Sequence, residues 1–80
     1  MNMQEARRVA LERVRVDHPD AQNPHVDSTQ LISPNWVVKG NWLSTTPNAI
    51  GSMNFEIWID EYTRQIVKAE YGIGTLMGSP

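Results

Sequence analysis

No cysteine occurs anywhere in the 80 residues, which excludes a disulfide framework and a thiolate metal site and leaves stability to ordinary packing. Long apolar runs are missing too. The first residues, Met1-Asn2-Met3-Gln4-Glu5-Ala6-Arg7-Arg8, carry charges where a secretory signal would be apolar, and no later stretch approaches membrane-spanning length. A cytoplasmic location with no membrane partner is therefore the expectation. Charge of one sign is scarce: seven basic against nine acidic side chains leave a net charge of -2, so no broad field draws in nucleic acid or anionic lipid. A phosphate-cradling loop is lacking as well, because Gly72 and Gly74 are followed by neither a helix signal nor a P-loop lysine.

What is present is ordinary for a globular chain, with 40% hydrophobic and 20% charged residues. At this length all structured segments must share one core, so residues 1–72 are read as a single α+β domain and residues 73–80, with two glycines and no period, as a tail. From Met3 to Val16, Met3, Ala6, Ala10 and Val14 recur at helical spacing, flanked by Val9 and Leu11. The opposite face offers Glu5 with Arg8 and Glu12 with Arg15 as i,i+3 pairs, and Pro19 stops the helix near Asp17.

Beyond a loop broken by Pro19 and Pro24, Val26 to Ile32 reads as a half-polar edge strand. The Pro34-Asn35 turn leads into a second strand, with Trp36, Val38, Gly40 and Trp42 alternating with Val37, Lys39, Asn41 and Leu43. Ser44 to Ser52 is rich in turn formers and is expected to be a long exposed loop. The third strand alternates most cleanly: Met53, Phe55, Ile57 and Ile59 point one way, and Asn54, Glu56, Trp58 and Asp60 the other. A turn over Glu61-Tyr62-Thr63-Arg64 then joins a fourth strand, in which Val67, Ala69 and Tyr71 alternate with Ile66, Lys68 and Glu70. The predicted fold is one N-terminal helix packed on one face of a four-stranded antiparallel meander sheet, with the other face open.

Residues capable of chemistry are present without a pattern that would use them. Asp17-His18-Pro19-Asp20, His25 and Asp27 match no zinc spacing and read as solvated loop residues, so no metal or other cofactor is expected. Ser28, Thr29, Ser44, Thr45 and Thr46 sit in no nucleophile motif, and Asp60 with Glu61 suits a turn better than acid–base work. The chain is accordingly not read as an enzyme. Arg7, Arg8, Arg13 and Arg15 concentrate basic charge on the helix, but interleaved glutamates favour a solvated face over nucleic-acid binding.

Tryptophan is the informative residue, with three in so short a chain. Trp36 and Trp42 share the face of Val38 and read as core. Trp58 points away from the core set, so with Ile66, Val37 and Leu43, and with Glu56 and Lys68 as polar neighbours, it marks a candidate partner-binding face.

Phe55-Glu56-Ile57-Trp58-Ile59-Asp60-Glu61-Tyr62-Thr63-Arg64-Gln65-Ile66-Val67 resembles the end of PepSY domains, where a strand runs through an aspartate and a threonine-glycine turn into another strand. Asp60 and Thr63 match that pattern, and Arg64 stands where the family usually has glycine. Trp36-Val37-Val38-Lys39-Gly40 followed by a loop and the same ending also resembles small bacterial immunity proteins with a cystatin-like or nuclear-transport-factor-like fold. Both resemblances imply a non-catalytic binding or inhibitory module. The expectation is thus a protein partner, or a second copy in a homodimer. The alternatives are a small-molecule or enzymatic pocket between helix and sheet lined by Trp36, Trp42 and Tyr71, and weak nucleic-acid binding through the helix arginines.

Overall fold

Asn2 starts the helix: its side-chain oxygen accepts the Glu5 backbone N–H at 2.8 Å, satisfying one of the amides that the first turn leaves free. In the computed structural model, which describes residues 1–46 and 49–76, helix α1 runs Met3–Asp17 and ends at His18, ahead of Pro19. Strands β1 (Gln22–Ile32), β2 (Asn35–Thr46), β3 (Ala49–Asp60) and β4 (Ile66–Leu76) follow as an antiparallel meander in the order β1-β2-β3-β4. The protein is therefore an α+β domain with its helix on one sheet face. None of its described helices is long and apolar enough to cross a membrane.

The core is built where the two periodicities meet. Ala6, Ala10 and Val14 from the three- and four-residue stripe of α1 pack on Val38, Trp42, Phe55, Ile57 and Ile59 from the two-residue rhythm of β2 and β3. Two alanines on that stripe let the helix backbone lie close to the sheet. Register fixes the facing pairs, with Val38 opposite Ile57, Trp42 opposite Met53, and Gly40 opposite Phe55. A Cβ on Gly40 would overlap the His25 carbonyl oxygen and the Phe55 ring, so only glycine admits both the inward lean of β1 and the ring that lies over it.

Four sequence expectations change. β1 begins at Gln22, earlier than Val26, because Pro24 costs no ladder hydrogen bond on an outermost strand. The expected Ser44–Ser52 loop is largely strand: β2 continues to Thr46 and β3 starts at Ala49, as β-branched Thr45, Thr46 and Ile50 favour pairing, while Pro47 and Asn48 lie outside the described residues. β4 takes in Ile73 to Leu76, which were expected to be tail, since Ile73 pairs with Met53 and Leu76 with Gly51; residues 77–80 lie outside the described residues. On the helix, Glu5 faces Arg64 across the domain at 3.6 Å and Arg13 pairs with Asp17 at 2.9 Å.

The β3–β4 turn is closed by Asp60, whose Oδ1 accepts the N–H groups of Thr63 (2.9 Å) and Tyr62 (2.8 Å), and these bonds hold its carboxyl below the usual range. Arg64 occupies the left-handed region with φ 63°, a conformation that glycine adopts without penalty.

Two outcomes follow for stability. Gly40→Ala is expected to cost about 2–4 kcal/mol, read from the urea midpoint, because neither a backbone carbonyl nor a packed ring gives way easily. Arg64→Gly is expected to raise stability by up to about 1 kcal/mol in the same assay by removing the left-handed penalty, and a loss of that size would show that the Glu5–Arg64 pair outweighs the backbone term.

Candidate functional site

Strand alternation sends Val37, Lys39, Asn41 and Leu43 of β2, Ser52, Asn54, Glu56 and Trp58 of β3, and Lys68 and Glu70 of β4 to the face away from α1. Trp58 stands there between Val37 and Lys68, half-buried. Its indole Nε1–H donates to Glu56 Oε2 at 3.0 Å, and the Lys68 ammonium lies over the ring, 5.3 Å from its centroid. Glu56 is the hub: besides that hydrogen bond, Lys39 Nζ is 3.4 Å from its Oε1 and Lys68 Nζ 3.9 Å from its Oε2. The Trp58 bond first, then the two ammonium groups, holds its carboxyl below the ordinary value against the opposing effect of burial.

From Glu56 a shallow groove of about 530 Å³ extends across the sheet, walled by Asp27 and Ser28 of β1, Lys39 of β2, Asn54 of β3 and Glu70 of β4. Gly72 lies on the same face opposite Asn54 with open space where a Cβ would stand, which keeps the β4 end of the groove low. Asp27 is aimed by the Asn41 side-chain amide, 2.7 Å away, and His25 Nε2 is 3.5 Å from its other oxygen. The groove presents the carboxylates of Asp27, Glu56 and Glu70; its one lining lysine, Lys39, faces Glu56, and Lys68 beside it lies 3.4 Å from Glu70 Oε1.

The expected partner-binding residues divide. Trp58, Glu56 and Lys68 come together as one cluster. Val37 is on that face beside Trp58 but sealed at 2% exposure, so it supports the indole and offers no area. Leu43 is 53% exposed but sits six residues along β2 from Val37, about 20 Å away, too far to extend the patch. Ile66 is a correction: it pairs with Ile59 on the helix side and packs on the core, because a bulge at Val67 inserts one residue and flips the face of everything before it. Sequence reasoning missed Lys39, Glu70 and Asp27. Lys39 and Glu70 were legible in the same alternation that exposes Trp58.

On the other side of the sheet, the expected loop cluster is split in two. His18 caps α1 and packs against Trp42 (centroids 4.9 Å apart) and the edge of Tyr71 (4.4 Å), whereas His25 and Asp27 belong to the open face. Among the described residues no group of three histidine, cysteine, aspartate or glutamate side chains is placed to hold a metal ion. Tyr71 OH donates to Asp17 Oδ2 at 2.6 Å, and Arg13 Nε donates to the same oxygen at 2.9 Å. Burial first and then that carboxylate push the Tyr71 phenol up to about 12, while the phenol and the guanidinium hold Asp17 below its ordinary value. Trp42, Phe55 and Tyr71 fill the space between helix and sheet with ring on ring, Trp42 being 2% exposed.

Comparison of the chain with known protein families, with curated proteins and with solved structures finds no match.

The Tyr71–Asp17 contact has a pH signature. A phenol whose pKa rises from 10.0 to about 12 on folding keeps its proton while the unfolded chain loses one, so stability present below pH 10 declines between pH 10 and about 12. Tyr71→Phe is expected to flatten that alkaline limb in thermal melts and, by deleting the bond that most lowers it, to move the Asp17 carboxyl upward in a carbon-detected NMR titration. An Asp17 titration unchanged by the substitution would mean that the bond is absent in solution.

Proposed function

We propose that this chain is a small non-catalytic protein-binding or inhibitory module whose contact surface is the open sheet face around Trp58. The single observation that carries the reading is the state of that indole: on the uncovered face, half-buried, and fixed by Glu56 and Lys68. A tryptophan already held in one pose loses little freedom on binding, which is the property that makes such residues dominate interfaces. The adjoining groove adds chemistry. Glu56 and Glu70 are met by lysines and Asp27 is not, so the groove favours a protein segment that places an apolar side chain on Trp58 and a lysine or arginine over Asp27.

The non-catalytic part of the reading is supported by the direction of the perturbed groups. Proton transfer near neutral pH needs a group tuned toward neutrality, yet Asp17, Glu56 and Asp60 are driven down by hydrogen-bond partners and Tyr71 is driven up by burial and then by Asp17. The element order of one helix and a four-stranded meander, with Asp60 and Thr63 at the turn, is in keeping with the resemblance to PepSY and cystatin-like modules. A pocket between helix and sheet finds less support, because Trp42 and Tyr71 pack on each other and Trp36 packs against the core cluster.

Selection of random displayed peptides on the wild-type protein tests the reading. Recovered binders should be rich in lysine or arginine, should shift the Trp58 indole N–H resonance, and should lose about tenfold or more in affinity for Trp58→Ala. Binders that hold the variant equally well, or an indole resonance that no binder moves, would refute it.

A further inference from the structure

The two edges of the sheet are built differently. β1 carries Pro24, a left-handed Asn23 (φ 48°) and two register shifts, and α1 packs over it, all features that prevent another strand from adding. β4 has none of this protection along Lys68 to Ile73. That run contains no proline, lies between the register shifts at Val67 and Gly74, and is paired only on its β3 side among the described residues. The helix packs chiefly on β1, β2 and β3, so it leaves the outer edge of β4 clear. Val67 and Ile73, at the two ends of the run, are 56% and 65% exposed.

We propose that the β4 edge pairs with β4 of a second copy of this chain, antiparallel about a two-fold axis at Ala69, to form one continuous eight-stranded sheet. The charges select both the partner and the register. Under a two-fold axis normal to the sheet, residues directly opposite must belong to the same face, so the axis passes through a residue rather than between two. Centred on Lys68, the pairing sets lysine against lysine; centred on Glu70, it sets carboxylate against carboxylate. Centred on Tyr71, it faces Glu70 with Gly72 and forms no ion pair. Only the register centred on Ala69 sets each Lys68 opposite the other chain's Glu70, twice by symmetry, on the open face where both side chains are exposed and already meet within the chain at 3.4 Å, so the pairing extends that contact into a row of four alternating charges. Ala69 on the axis is small enough to meet its own copy, and both helices fall on one side of the joined sheet with both Trp58 faces on the other. The inference rests on the edge and stands whether or not the Trp58 face binds a partner.

Sedimentation equilibrium on the full chain tests it without any ligand. The wild type is expected to dimerise below about 1 mM. Lys68→Glu alone and Glu70→Lys alone each turn two cross-strand attractions into repulsions and should raise the dimer Kd about tenfold. An equimolar mixture of the two variants restores opposite charges at every contact and should associate about as tightly as wild type, which two damaged folds would not do. A wild-type monomer throughout that range would overturn the proposal and leave Lys68 and Glu70 as guards of a free edge. Single variants that dimerise normally, or a mixture that stays monomeric, would overturn it as well.

Discussion

A helix of fifteen residues is about 22 Å long, whereas strands of eleven and twelve residues run to about 40 Å, and the molecule measures 43 Å along its longest axis. One such helix can cover one face of the sheet, and only about half of that. The rest of the structure follows from this mismatch. Apolar residues cluster where α1 reaches, at Val38, Ile57 and Ile59, and thin out beyond His18, where Ile73 stands exposed on the helix side. Among the described residues the opposite face has no second layer, so its strands carry Lys39, Glu56, Lys68 and Glu70 where a sandwich would carry leucine. Val37 is buried there even so, flanked by Gln30 and Trp58 on the neighbouring strands. The indole thus stands beside the buried apolar side chain that the open face carries among the described residues.

Polar contacts fix the helix at both ends to the side of the sheet that its apolar stripe does not reach. Glu5 meets Arg64 in the β3–β4 turn, and Asp17 takes the Tyr71 hydroxyl from β4. Arg64 is exposed and Glu5 partly buried, and at 3.6 Å without a hydrogen bond the pair contributes little by itself. Its geometric effect is larger than its energy, because it opposes rotation of a helix whose core stripe consists of two alanines and a valine. Asp17 gains more from its site, with a phenol and a guanidinium on one oxygen and the packed rings of Trp42 and Tyr71 beside it.

Much of this architecture was legible in the chain, and what escaped has one physical origin. Met53 to Ile59 alternates without interruption because β3 is central and pairs on both sides, so every side chain is committed to a face; its orientation, and that of Trp58, could be read directly. The helix was legible for the same reason, through a regular period ended by Pro19. Errors gathered where the period slips. A bulge at Val67 carried Ile66 to the core side, and no local residue choice announces a single inserted position. The paired residues 44–46 and 49–52 and the strand residues Ile73 to Leu76 were hidden by serine and glycine, which favour turns alone but pair when a neighbouring strand is present. Arg64 shows the converse, a left-handed turn formed without glycine because the Asp60 carboxylate closes it.

The groove and the core are linked through one strand. Glu70 and Gly72 form the β4 wall of the groove, and Tyr71 between them points to the other side, where its hydroxyl is bound to the last residue of the helix. Because side chains alternate across a strand, fixing Tyr71 fixes the direction in which Glu70 projects. Among the described residues β4 is paired with β3 on one side and has no strand beyond it. The helix terminus therefore orients a surface that it never touches, and a change at Asp17 would be felt at Glu70 through the pleat of a single strand.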